Sequence, residues 1–157
     1  MQGGLIQMFS HGINVIGLFL VCQIFFERRG THNIQSLGGY IHQAPLLAVL
    51  FMVILLGSIA LPLTNGFIGE FMLLAGIYRY NPWMAAIGGL TIIFGAVYML
   101  RAYQRTMLGN PVEDGGAAFP ALLWNEKIVL LVIAFLVLAI GIFPGPILAM
   151  TEPSVQV

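Results

Sequence analysis

Ala60–Phe71 reads ALPLTNGFIGEF. It sets a proline, an asparagine, a glycine and a carboxylate inside an apolar run that extends from residue 44 to residue 78. A straight helix of that length would be about 50 Å long at 1.5 Å per residue. The hydrocarbon core of a bilayer is only about 30 Å thick. Pro62 removes a backbone N–H and clashes with the preceding turn, and Asn65 and Gly66 tolerate unusual dihedrals. The run therefore predicts two half-helices, about 44–61 and 67–78, with a break near Pro62–Gly66. Irregular backbone at membrane depth persists only where it is buried in protein or lines a wet cavity. In transporters such unwound segments coordinate ions.

The rest of the chain fits the same setting. Of 157 residues, 59% are hydrophobic and 8% are charged, and the mean hydropathy is +0.96. Soluble domains carry about 25% charged residues. The fold class is thus all-α integral membrane protein, a single membrane segment with about four transmembrane helices. The spans are read at about 4–26, 44–78 (the broken one), 83–100 and 128–143, with Pro144 and Pro146 closing the last. The intervening stretches 27–43 and 101–127 are rich in Gly, Asn, Pro and charge and read as loops. LGNPVEDGG within the second is a turn cluster, and Trp124 is expected at headgroup depth. The zero formal net charge gives no reason to expect a nucleic-acid partner. Cys22 is the only cysteine, which excludes an internal disulfide and a Cys-pair metal site; it reads as a packing residue. The chain opens without a basic n-region of the kind a signal peptide needs. Gln2, Gln7, Ser10, His11 and Asn14 lie in the first span, which suggests a piece of a longer membrane protein.

Orientation follows from Lys and Arg. Arg28, Arg29, Arg101, Arg105 and Lys127 fall in the loops 27–43 and 101–127, and only Arg79 falls on the opposite side. The positive-inside rule then puts those loops in the cytoplasm and both termini outside.

Glu70 is the first candidate for chemistry. It is expected near the first turn of the second half-helix, where the dipole and free N–H groups favour negative charge while burial opposes it. Such a carboxylate can exchange a proton when a nearby charge changes, which suits a relay. Intramembrane acids are costly and are functional by default; the plain alternative is an ion pair that only holds helices together. His11 is the second candidate. Gln7, His11 and Asn14 recur at i, i+4 and i+7 with Ser10 beside them, a polar stripe able to hold water, and His passes protons near neutral pH. Interhelical hydrogen bonding explains the stripe equally well. His32 and His42 read as solvated loop residues, and Arg28 and Arg29 as topology determinants.

QMFSHGINVIGLF, GTHNIQSLGG, LPLTNGFIGEF and GIFPGPILAMTEPSV occur in that order. Together they resemble the C-terminal third of the subunit M family of NADH:quinone oxidoreductase, the proton-translocating, antiporter-like subunits of respiratory complex I. The resemblance covers essentially the whole chain. It implies a fold of inverted five-helix repeats, each with a discontinuous helix, and a central chain of buried lysines, glutamate and histidines. The family's GFxGEF glutamate, on the second discontinuous helix, corresponds to Glu70 and serves the outward half-channel. The SHG histidine corresponds to His11 in the central hydrophilic axis. Related subunits usually carry lysine at the glutamate position, so Glu70 favours subunit M. LPLTNGF departs from the commoner LPGTSGF, with Leu63 and Asn65 in place of smaller residues.

The resemblance further implies proton translocation coupled to quinone reduction elsewhere, with Glu70, His11, Ser10 and Asn14 on the pathway and Pro62, Asn65 and Gly66 at the helix break. It implies no cofactor in this chain, since NADH, FMN, Fe–S clusters and quinone bind partner subunits. The partners implied are the neighbouring membrane subunits, the lipid bilayer, protons and internal water, in a bacterial inner membrane. The family's lysines and first inverted repeat are missing here, so the chain is expected to be one part of a pathway. A cation/proton antiporter or membrane-bound hydrogenase subunit of the Mrp type is a second reading. A non-catalytic membrane scaffold is a third.

Overall fold

The computed structural model describes residues 1–109 and 119–151. Most of the LGNPVEDGG turn cluster lies outside them. Among the described residues six α-helices follow in order: α1 (Gln2–Arg29), α2 (Pro45–Ser58), α3 (Asn65–Tyr80), α4 (Pro82–Met107), α5 (Trp124–Ile142) and α6 (Gly145–Thr151). A short 3-10 turn, Ile34–Ser36, lies between α1 and α2, and no strand occurs among the described residues. The fold is all-α. Helices α1, α4 and α5 are each long and apolar enough to cross a membrane, and α2 is a shorter apolar helix.

Local chemistry explains the helix ends. Gly30 closes α1 in the left-handed conformation at φ 66°, and its N–H reaches Phe26 O at 2.7 Å, a glycine stop. Proline stands at the first position of α2 and of α4, where its missing N–H costs no helical bond. Asn81 is the single residue between α3 and α4. Its side chain accepts from Trp83 N at 2.9 Å, so one N-cap turns the chain from one helix into the next.

The break differs from its sequence expectation. The two half-helices end and begin at Ser58 and Asn65. Asn65 and Gly66, expected to supply unusual dihedrals, are instead the first two residues of α3. The left-handed residues are Ala60 (φ 55°) and Leu63 (φ 73°). Gly66 is needed for close approach: a Cβ there would collide with the Gly57 carbonyl oxygen at the end of α2. Gly141 of α5 likewise admits the Leu63 and Thr64 backbone. The break is thus seated against α2 and α5 by glycines that let backbone touch backbone.

The other boundaries also shift. Helix α4 runs past residue 100 to Met107 and takes Arg101 and Arg105 out of the expected loop. Helix α5 starts at Trp124. Pro146 does not stop the chain from turning helical again; it sits in the first turn of α6, where proline is tolerated. Cys22, expected to pack inside, is exposed.

Helix α1 packs against α2, α3 and α5, while α4 packs mainly on α3. The core joins Val21, Leu47, Ile54, Leu55, Leu130 and Val137 from α1, α2 and α5. At its basic end Arg28, read from the sequence as a topology determinant, is paired with Glu126. Its side chain and that of Glu126 are each only 7% exposed, and Arg28 Nη2 lies 2.5 Å from Glu126 Oε2. A second bond joins Nη1 to Oε1 at 3.0 Å. Arg28 also donates to Pro120 O at 3.1 Å and Ala121 O at 3.2 Å. Glu126 Oε2 in turn accepts from Leu123 N at 2.7 Å, which caps α5. One fork of charge thereby ties the end of α1 to the start of α5.

Candidate functional site

Glu70 is the sixth residue of α3, in its second turn rather than its first. The free N–H groups of a helix belong to its first turn, and the dipole effect fades within it. The helix start therefore does little for the Glu70 charge. The group that does meet the carboxylate is Gln7: its Nε2 donates to Glu70 Oε1 at 3.1 Å. Helices α1 and α3 cross there because Gly69 has no side chain. A Cβ on Gly69 would lie 2.8 Å from Gln7 Cα.

Four polar residues of α1 fan over roughly 100° of the helix, and the start of α3 divides them. Gln7 and His11 face the Glu70 side. Glu70 and His11 line one cavity of about 230 Å³, with Ser58, Thr91 and Tyr98 on its wall. Glu70 and Gln7 line a second, of about 250 Å³, which also reaches Thr91. His11 itself is exposed. Glu70 thus stands between two spaces that follow the cleft between α1, α3 and α4.

Ser10 and Asn14 go the other way. They are 0% and 2% exposed, beside Asn65 at 0%. Asn65 Nδ2 donates to Ser10 O at 3.2 Å, and that bond orients the Asn65 amide. Gly57 brings both amides together: a Cβ on it would be 3.0 Å from Asn14 Oδ1 and from Asn65 Oδ1. Ser10 Oγ, Asn14 Oδ1 and Asn65 Oδ1 find no hydrogen-bond partner among the described residues. The structure brings His11 to Glu70, and it brings Ser10 and Asn14 to Asn65 instead. Pro62 is exposed in the break, away from both groups.

The partner of Gln7 and the place of Thr91 were not part of the sequence reading. Gln7 was visible in the polar stripe, but nothing in spacing shows which residue of α3 it meets. Thr91 is a hydroxyl in the apolar stretch GGLTIIFG, and that isolation was its only signal. Among the described residues no three His, Cys, Asp or Glu side chains group as a metal site would require.

Comparison with known proteins gives this geometry a family. Residues 1–101 match the model of the family described as NADH:quinone oxidoreductase/Mrp antiporter, TM. The chain is 41% identical over 155 residues to NADH-quinone oxidoreductase subunit M of Rickettsia prowazekii, covering 99% of this chain and 32% of that protein. It is 38% identical over 157 residues to the subunit M of Mycobacterium tuberculosis, covering 99% of this chain and 28% of that one. A chain in the structure of respiratory complex I from Thermus thermophilus with bound NADH superposes with a TM-score of 0.86 at 35% identity, covering 93% of this chain and 30% of that chain. The chain thus spans about a third of the length of the relatives it matches. A helix broken beside a lone carboxylate, and a match to this family model over residues 1–101, together place the chain in the NADH:quinone oxidoreductase/Mrp antiporter membrane family.

Proposed function

We propose that this chain is the C-terminal third of an antiporter-like subunit M, and that it carries one half of a proton path in NADH:quinone oxidoreductase. The observation that carries the reading is Glu70. It is the carboxylate of α3 set just beyond a helix break, hydrogen-bonded to Gln7 and sharing a cavity with His11. In that arrangement Glu70 takes up and releases the transported proton. His11 exchanges it across the shared cavity, through water held there by Thr91 and Tyr98. Ser10 and Asn14, with Asn65, hold water at the break, because buried acceptors without protein donors are costly unless hydrated. The driving force comes from quinone reduction in other subunits. NADH, flavin, Fe–S clusters and quinone bind there and not in this segment.

The remaining assignments follow from charge. Arg28, Arg29, Arg101, Arg105 and Lys127 mark the cytoplasmic end, and the membrane is a bacterial inner membrane. Neighbouring membrane subunits of the complex cover the exposed apolar faces together with lipid.

A cation/proton antiporter of the Mrp type is the second reading, because the matched family model spans both kinds of protein. One experiment separates them. In sealed vesicles holding the complete complex, Glu70→Gln is expected to lower NADH-driven proton uptake severalfold per assembled complex. Unchanged uptake with normal assembly would remove Glu70 from the path. Sodium uptake that vanishes in its place would favour the antiporter.

A further inference from the structure

We infer that Gln7 is the positioning residue of Glu70, a partner to its carboxyl group in both protonation states. The inference rests on the proton-relay reading above. The ionised carboxylate is a pure acceptor, and Gln7 Nε2 donates to its Oε1 at 3.1 Å. The protonated acid has an O–H to give, and a carboxamide also offers an acceptor. Gln7 Oε1 is buried and accepts no hydrogen bond from the described residues. A half-turn of the amide presents that oxygen to the acid proton, so the same side chain serves either state. Gln7 gains and loses no proton itself. Lys or Arg here would favour only the ionised form, and Leu or Met would favour neither.

The backbone holds the pair in place. Gly69 lies directly on Gln7, since a Cβ there would be 2.8 Å from both Cα and Cβ of Gln7. One turn earlier on α1, a Cβ on Gly3 would be 2.8 Å from Met72 Cβ on α3. Small residues on each helix bring the two backbones together, as at other close crossings within membranes. The carboxyl of the next residue, Glu70, is thereby brought to the Gln7 amide. It is kept at the wall common to the two cavities, where His11 can reach it. A free Glu70 side chain would sample several rotamers, and few of them would face His11.

The test uses the complete complex in sealed vesicles, with Gln7→Met, which keeps size and removes both hydrogen-bonding groups. Proton uptake per electron pair is expected to fall severalfold. Of the two bonds lost, the one to the charged carboxylate is the stronger, so more of Glu70 is left protonated, and dicyclohexylcarbodiimide, which modifies protonated carboxyl groups in apolar surroundings, is expected to label it severalfold faster at neutral pH, read by mass spectrometry of the peptide. Gln7→Asn is one methylene too short to reach and is expected to show the same two changes, which covers a failure of Gln7→Met to assemble. Wild-type uptake and wild-type labelling in both variants, with Glu70→Gln still defective, would reduce Gln7 to packing and leave the relay standing. Wild-type uptake in Glu70→Gln as well would overturn both together.

Discussion

Asn65 takes a role that the sequence did not assign to it. It does not loosen the backbone of the break; it occupies the first turn of α3 and donates to Ser10 O across the interface. An intramolecular hydrogen bond of this kind contributes about 0.5–1.5 kcal/mol net. Asn65→Leu is therefore expected to destabilise the assembled protein by about that amount, read as a fall in its thermal unfolding midpoint. An unchanged midpoint would mean that the amide contributes nothing to holding α1 against α3. At the same scale, Gln7, His11, Ser10 and Asn14 were all legible as polar residues of one helix. Their division into two groups was not. The 3.6-residue period gives directions around α1, but where α3 crosses that arc depends on Gly69 and Gly66, whose role is the absence of a side chain.

The break between α2 and α3 was legible as an element from length and from Pro62. Its internal geometry was not, because the strained positions carry ordinary side chains. Leu63 adopts φ 73°, a conformation that costs an L-residue roughly 1–2 kcal/mol. Its side chain is 67% exposed, so little packing would be lost with it. Leu63→Gly is expected to stabilise the segment by about 1 kcal/mol, seen as a higher unfolding midpoint. A lower one would show that the Leu63 side chain meets a neighbour outside this chain. The commoner glycine in LPGTSGF now has a physical reason, since glycine alone takes that dihedral freely.

Over the whole molecule, the ion pair of Arg28 and Glu126 joins two helices far apart in the chain, α1 and α5. Both side chains are 7% exposed. Removing one member of a buried pair costs about 3–5 kcal/mol, because the other charge stays behind, whereas replacing both by apolar groups is often near neutral. Arg28→Met is expected to destabilise strongly, and Arg28→Met with Glu126→Leu to recover most of the loss. The check is a double-mutant cycle on unfolding midpoints. Additive effects would show that the pair is not coupled. From the sequence Arg28 was one of five basic residues on one side, and sidedness alone accounted for it. Its partner lies 98 residues away, and no local pattern links the two.

Hydropathy, proline and glycine placement, and the lone Glu70 were enough to determine an all-α membrane protein, a long apolar run broken in two and a carboxylate just after the break. These follow from local rules: backbone groups in lipid must bond within the helix, and a proline interrupts that ladder. Only the tertiary structure decided that Ala60 and Leu63 carry the strain, that Gln7 and not the helix start meets Glu70, and that Ser10 and Asn14 turn away toward Asn65. Those outcomes depend on how closely two backbones approach, which is set by contacts between residues far apart in the chain.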